Sequence, residues 1–533
     1  MIPHEHRIVQ WLSKPSTYPH PVDRVERRET HVSHVFLAGT FAYKLKKPVT
    51  FPFLDASTLK RRKTFCQLEL TLNRRLAPDM YLDIVPIVEA SNRLQLGGRG
   101  KIVEWVVKMR RLPEDRMLDQ LVAHRRVSAR DIAHIADRLM PFFAKAARSR
   151  SIARYGQPAQ VAELVLGNLR ECQPFLGRLF SQKDHRFLEA SYRQYLALHE
   201  LVLRQRVREG RIIDGHGDLR CENICLTTPV NVFDCVEFQP AFRCGDMAND
   251  FSFLVMDLEF RGRADLARVL VDRYRRAVQD PTFDLVLPFY QCHRSLVRGK
   301  VRGLAWLQHP RTAAGKRIRT LAQKHFQLAK QYAKQFATPR LIVVGGLIGT
   351  GKSSLAKPLA ERLGATWLRT DEIRLGEFAK ARRARQGFAE GLYAPHISEL
   401  VYQRLMQRAE AIIRRGESVV CDGTFSQAIG RVRLRDIAQR HHASFHFFEC
   451  VVPKRVALQR IAKRYASRRD LSEARPEHYD RLKAGFEPVR GWSSSLWTQL
   501  STNCRAEETV DDALKVLRRL WVPKPTSASS RLY

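Results

Sequence analysis

Two stretches of this chain carry residue types at spacings suited to holding phosphate. In LIVVGGLIGTGKSSLAKPLAERL (341–363), Gly346 is followed after four residues by Gly351, Lys352 and Ser353. Glycines here, Gly349 included, let backbone N–H groups turn inward on phosphate oxygens. Lys352 brings positive charge to the terminal phosphates, Ser353 offers a hydroxyl to Mg²⁺, and the helix that follows points its N-terminus at the anion. The loop 346–354, with Ser354 at its end, is thus read as a nucleotide cradle. Downstream, SVVCD (418–422) ends in Asp422, where a carboxylate can orient Mg²⁺ through water. In ATWLRTDEIR (365–374), Asp371 and Arg374 follow a second strand. Asp371 is placed to take a proton from a substrate hydroxyl, or to cap the helix EIRLGEF, or both. Arg460 and Arg464 lie four apart in RVALQRIAKR. They can close over a transferring phosphoryl group as a lid; by spacing alone, a solvated basic helix face is the better reading.

The second stretch is IIDGHGDLRCENICLTTPVNVFDCVEF (212–238). Asp218 can accept a proton from an attacking hydroxyl or orient it, and Asn223, five residues on, can reach Mg²⁺. The strand VNVFD then delivers Asp234 as a second metal ligand, because developing phosphate charge needs a cation held rigidly. A cation for the donor phosphates is also required. Lys44, in Ala42-Tyr43-Lys44, fills that place, with Lys46 and Lys47 as rivals, and Glu69 in CQLELTLNRRL (66–76) is its counter-charge. FLAGTFAY (36–43) has one glycine, so no glycine-rich cover over the phosphates is evident.

These residues need elements to position them. At 533 residues, with 44% hydrophobic and 27% charged, the chain is long enough for two or three domains with sizeable cores, and wholesale disorder is excluded. HVSHVFLAGTFAYKLKKPV (31–49) reads as a hairpin, and about 129–208 as helical. Residues 313–336 read as a basic amphipathic helix, broken by Ala337-Thr338-Pro339-Arg340 before a buried strand begins at 341. From there strands and helices alternate, as in a parallel α/β sheet. The tail from 523 is polar and expected to fray. The net charge of +38 is spread over the chain. Spread charge attracts polyanions such as RNA, but no basic block interleaves with aromatics, so solvated helix faces are the favoured account and a nucleic acid is not the favoured partner. The ten cysteines include no CxxC, which argues against a zinc site or disulfide framework. No apolar run is long enough to span a membrane, and the first residues lack a signal's apolar core, so a cytoplasmic location is expected.

The motif set of the second half (the phosphate loop, TDEIR, VVCDGTF and RIAKR) resembles small P-loop kinases of the gluconate kinase and zeta-toxin type, over about 340–520. The resemblance implies that Asp371 and Arg374 face the acceptor and that the arginines form the lid. HGDLRCEN, VFDCVEF and GDMANDFSFL (245–254) resemble the aminoglycoside phosphotransferase family, within the protein-kinase-like fold, over about 30–300. It implies that Asp218 is the base, that Asn223 and Asp234 hold metal, and that Lys44 with Glu69 positions the donor. Asp246 and Asp250 echo the family's Gly-Asp-x3-Asp pattern and are read as bracing the catalytic loop. The chain departs from the DFG of eukaryotic protein kinases at Cys235 and Val236. The order of the two halves is similar to bacterial fusion proteins that join these two domain types.

The expectation is therefore an α+β bilobal kinase-like domain (1–337), an α/β three-layer P-loop domain (338–522) and a flexible tail (523–533). It would be an ATP- and Mg²⁺-dependent phosphotransferase acting on hydroxyls of small molecules. Two alternatives stand beside it: an enzyme in which one domain transfers phosphate and the P-loop domain is an ATPase switch, and a nucleotide-regulated RNA-binding protein. The acceptors and the choice of ATP over GTP are not legible.

Overall fold

The structure is a computed structural model that describes residues 3–51, 54–91, 93–377, 394–467 and 475–520; the tail expected at 523–533 lies outside these. The chain divides into two compact units. The first is Met1–Val161 with Leu203–Arg298, and the second is Ala162–Val202 with Gly299–Tyr533. Among the described residues, no helix is long and apolar enough to cross a membrane.

The first unit contains a six-stranded antiparallel sheet that follows a short N-terminal helix (Pro3–Leu12). Its strands are β1 (Val25–Glu29), β2 (Ser33–Ala38), β3 (Phe41–Lys46), β4 (Tyr81–Ala90), β5 (Arg93–Leu96) and β6 (Lys101–Arg110), in the order β1-β2-β3-β6-β4-β5. The hairpin read at 31–49 is β2–β3, with Val35 opposite Lys44. Helix α1 (Leu59–Asn73) packs on this sheet. Thr58 caps it, accepting a hydrogen bond from the Arg61 N–H. A helical part follows, with α2 (Ala129–Lys145) in the first unit. A further long helix, α3 (Gln182–Leu198), belongs to the second unit. Short strand pairs then frame the segment that carries Asp218, Asn223 and Asp234: β7 (Ile212–Asp214) pairs with β10 (Cys244–Asp246), and β8 (Ile224–Cys225) with β9 (Asn231–Val232). Helices α4 (Met247–Phe260) and α5 (Ala264–Ala277) complete this unit's described long elements up to residue 282. Helix α4 is buried on nearly every side, which fits a sequence (MANDFSFLVMDLEF) that is apolar around most of its circumference.

In the second unit, α6 (Ala313–Phe336) covers the span expected for the amphipathic helix. It packs on α3, with the Tyr195 and Phe336 rings 5.3 Å apart. Then comes a fully parallel five-stranded sheet of β11 (Arg340–Gly345), β12 (Thr366–Arg369), β13 (Val419–Asp422), β14 (Ser444–Val451) and β15 (Trp497–Ser501), in the order β12-β13-β11-β14-β15. Side chains alternate across a strand. Ile342, Val344, Val420 and Phe448 therefore face α3, α7 (Lys352–Leu363) and α12 (Ala506–Arg519). Leu341, Val343, Val419 and Phe447 face α9 (Pro395–Arg414) and α10 (Ala428–Arg440). The result is a three-layer α/β unit with helices on both faces, as a run of parallel strands requires.

The compact units do not divide at 337/338. Residues 162–202 and 299–337 belong with the sheet that carries the phosphate loop, because Ala197 and Leu198 of α3 are part of its core.

Candidate active sites

In the first unit the β3 alternation decides among the three lysines. Lys44 and Lys46 point to one face, whereas Lys47 turns out to Glu29 at 2.5 Å. Lys44 Nζ lies 2.7 Å from Glu69 Oε1 and 2.7 Å from Asp234 Oδ1. Lys46 Nζ lies 2.5 Å from Glu69 Oε2 and also pairs with Glu237. The result is a chain of alternating charge, Asp234–Lys44–Glu69–Lys46–Glu237. Burial alone would lower Lys44; Asp234 and Glu69 outweigh it and hold it well above the ordinary lysine value. Burial would likewise raise Glu69, but the two lysines hold it down at about 2. Asn73, one turn beyond Glu69 on α1, donates to the Glu69 carbonyl at 2.8 Å and accepts the Cys235 N–H at 2.9 Å. This joins the helix to the segment that carries Asp234.

Asp234 has φ +63°, in the left-handed region that Asp tolerates better than most residues. Its neighbours pin that turn: the Phe233 N–H donates to Asn223 O at 3.0 Å, and the Val236 N–H to His216 O at 3.1 Å. The loop that carries Asp218 is braced from below. Buried Asp250 accepts the His216 N–H at 2.6 Å and the Gly217 N–H at 2.8 Å. Gly217 sits at φ +85°, where an added Cβ would lie 2.9 Å from Phe242 O. Asp246 caps α4 through the Ala248 N–H and takes two hydrogen bonds from fully buried Arg206, at 2.5 and 2.8 Å.

At Asp218 itself, Arg220 Nε and Nη2 each donate at 2.8 Å, one to each carboxylate oxygen. Asn223 Nδ2 donates to Asp218 O at 2.8 Å and to Oδ2 at 2.9 Å, which leaves the Asn223 amide oxygen as its acceptor atom. Burial pushes the Asp218 carboxyl up, but Arg220 outweighs it and holds it well below the usual range.

In the second unit the phosphate loop turns from β11 into α7. Gly346, Gly349 and Gly351 all have positive φ, at +132°, +77° and +79°. A Cβ at Gly346 would lie 2.4 Å from Cys450 O, and one at Gly349 would lie 2.6 Å from Ala457 O, so the loop is packed against the backbone at the end of β14 and of the helical stretch 454–467. Lys352 Nζ folds back to Leu347 O at 2.8 Å, and burial lowers its pKa against the pull of Asp422. Ser353 and Ser354 stand in the first turn of α7. Asp422, at the end of β13, is 2% exposed. Burial raises its pKa, while a hydrogen bond from Ser353 and the charge of Lys352 oppose the rise. Asp422 Oδ2 is buried with no hydrogen-bond partner. An orphaned carboxylate oxygen beside a serine hydroxyl and a lysine suits a hydrated Mg²⁺.

Asp371 is the second residue of α8 (Thr370–Glu377), inside the first turn rather than at the cap. Arg374 Nη1 lies 3.2 Å and Arg369 Nη2 3.6 Å from its carboxylate. Arg460, on α11 (Lys454–Ser467), is not on a solvated face. Its Nη2 donates to Thr502 O at 2.8 Å, and Thr502 Oγ1 donates to Thr350 O of the loop at 2.5 Å. Arg464, half-buried on the same helix, is near enough for its charge to help lower Lys352.

Sequence reading missed three participants. Arg220 was visible as a cation two residues past Asp218 in the same motif. Glu237, which pairs with the rival Lys46, was visible as a carboxylate three beyond Asp234. Thr502 carried no local signal, since only the fold brings it to Thr350.

The family described as an AAA domain (AAA_33) matches residues 341–489. The proteins Rv2004c of Mycobacterium tuberculosis and Mb2027c of Mycobacterium bovis are each 33% identical to the chain over 457 residues, which is 85% of this chain and 89% of each relative. Among solved structures, a gluconokinase from Sinorhizobium meliloti is 18% identical, covering 34% of this chain and 94% of its own, with a TM-score of 0.27. The Mycobacterium tuberculosis APS kinase in complex with AMPPNP and APS is 17% identical, covering 34% of this chain and 98% of its own, with a TM-score of 0.26.

Proposed function

We propose, from the premise that this chain belongs to the same family as the mycobacterial protein Rv2004c, that it is a phosphotransferase with two nucleotide-binding units. In the first, kinase-like unit, Lys44, set by Glu69, takes the donor phosphates, and Asn223 and Asp234 would hold Mg²⁺. In the P-loop unit, Gly346, Gly349, Gly351, Lys352, Ser353 and Ser354 cradle ATP, and Ser353 with Asp422 would hold the metal. Mg²⁺ supplies neutralisation of charge on the transferring phosphoryl group. Asp218 and Asp371 face hydroxyl acceptors, and Arg460 and Arg464 lie over the loop. A carboxylate held as low as Asp218 is a weak base. It orients the hydroxyl and receives its proton late, as a loose transition state with little early bond formation permits.

The observation that carries the reading is the ion pairing of Lys44 with both Glu69 and Asp234, at 2.7 Å each. The cation assigned to the donor phosphates and the carboxylate assigned to the metal are thus held in direct contact, both at the place a magnesium nucleotide would have to meet. The acceptors are small molecules with hydroxyl groups, the location is cytoplasmic, and nucleic acid is not the favoured partner.

Calorimetric titration with ATP and Mg²⁺ tests this on the wild type and on the Lys352→Ala and Asp234→Ala variants. Two sites are expected, each lost in one variant. A single site, lost only in Lys352→Ala, would remove the first unit from the nucleotide reading.

A further inference from the structure

The second unit carries a buried cation at the end of its sheet opposite the phosphate loop. Arg340 is the first residue of β11, and its backbone N–H donates to Ser418 Oγ at 3.1 Å. The loop leaves the other end of that strand, about 17 Å away at 3.3 Å per residue. By strand alternation Arg340 shares a face with Ile342 and Val344. His446, opposite Ile342 in register, lies on that face with Phe448. The C-terminal end of α3 covers this corner: Ala197 and Leu198 enter the core, His199 follows, and Gln194 Nε2 reaches Ser418 Oγ at 3.3 Å and Thr338 O at 2.9 Å.

Arg340 is 6% exposed, and its Nε has no hydrogen-bond partner. Among the described residues no carboxylate pairs with it, and burial is all that acts on its pKa, lowering it to about 10. Two titratable groups that feel its charge are His199 and His446, and neither is an anion. Burial, with Arg340 adding to it, pushes both down to about 4. The rings are already engaged: His446 contacts Ser495 O at 3.0 Å and Thr498 Oγ1 at 3.1 Å, and His199 Nδ1 contacts Tyr195 O at 3.0 Å. Buried arginines are normally compensated, because an unpaired buried charge is among the costliest features a core can hold. A guanidinium is also the side chain whose planar fork best fits a carboxylate or phosphate.

We propose that Arg340 is the floor of a second anion site, separate from the phosphate loop, which takes the oxyanion group of a small metabolite against Ser418 and the His199 end of α3. Phosphate and carboxylate share this chemistry, and the test separates them.

The Lys352→Ala protein, in which the loop has lost its cation, is titrated with inorganic phosphate and separately with acetate, by calorimetry and by thermal unfolding. At least one anion is expected to bind and raise Tm. Adding Arg340→Met, which keeps most of the side-chain volume, is expected to weaken that binding at least tenfold and abolish the rise. Response to phosphate alone or to acetate alone identifies the group. Without added anion, Arg340→Met in the otherwise wild-type chain is expected to unfold at the same temperature or higher, since an uncompensated charge has gone. Two results overturn the proposal: identical anion responses with and without Arg340, or an Arg340→Met protein that is less stable or unfolded with no anion present.

Discussion

At the scale of single residues, the chemistry proposed for the first unit turns on how Asp218 is held. Both of its oxygens accept from Arg220, and Asn223 adds a third hydrogen bond, so its orientation is fixed before any acceptor arrives. Asp218→Asn keeps the shape and removes the charge. In a Lys352→Ala background, phosphoryl transfer is expected to fall about 10²–10⁴-fold while ATP binding is retained. Equal loss of both in coupled transfer and calorimetric assays would mean that Asp218 serves the fold. Gly346 is the corresponding point in the second unit. Its φ of +132° and the 2.4 Å approach of a Cβ to Cys450 O leave no room for alanine. Gly346→Ala is expected to weaken nucleotide binding by at least tenfold, about 1.4 kcal/mol, with the first unit's site unchanged by calorimetry.

At the scale of elements, the short strands and turns of the first unit are set by buried charge rather than by length. The β7–β10 ladder is three residues long, yet it carries the turn into Asp218 on one side and the start of α4 on the other. Asp246 serves both as the cap of α4 and as partner to Arg206, which also binds Asp280 at 2.7 Å. Asp246→Ala would leave a fully buried arginine short of a carboxylate, at a cost of about 3–5 kcal/mol. Asp246→Asn, which can still cap, is expected to recover part of this, and urea unfolding measures the difference. The same reasoning explains why β3 could not be read alone. Sequence spacing put Lys44, Lys46 and Lys47 within four residues of one another, and only the pairing of Lys44 with Val35 and Val107 defines which face looks toward Glu69.

At the scale of the whole molecule, the two units carry separate cores, and a separate pH response is expected of the second. His199 and His446 are buried there with pKa values pushed down to about 4, against about 6.5 in an unfolded chain. Between these values the unfolded state binds more protons, so stability is fully present above about pH 6.5 and is lost as pH falls toward 4. Each histidine contributes about 3 kcal/mol over that window at most. Thermal unfolding of the second unit from pH 7 to pH 4 is expected to show this decline, and His446→Gln to flatten it by roughly half. An unchanged slope would mean that His446 is solvated.

The sequence by itself determined the phosphate loop, the alternation of strand and helix after 340, and the spacing of Asp218, Asn223 and Asp234. Each of these is local: a glycine at positive φ, a strand-to-helix turn or a five-residue interval acts over distances the chain itself spans. Tertiary structure alone decided which lysine meets Glu69, that Thr502 ties Arg460 to the loop, and that α3 and α6 belong with the parallel sheet rather than with the preceding domain. It also left Arg340 buried without a carboxylate. These are outcomes of which faces meet when separate stretches of chain bury their apolar surface together, and no interval along the sequence encodes them.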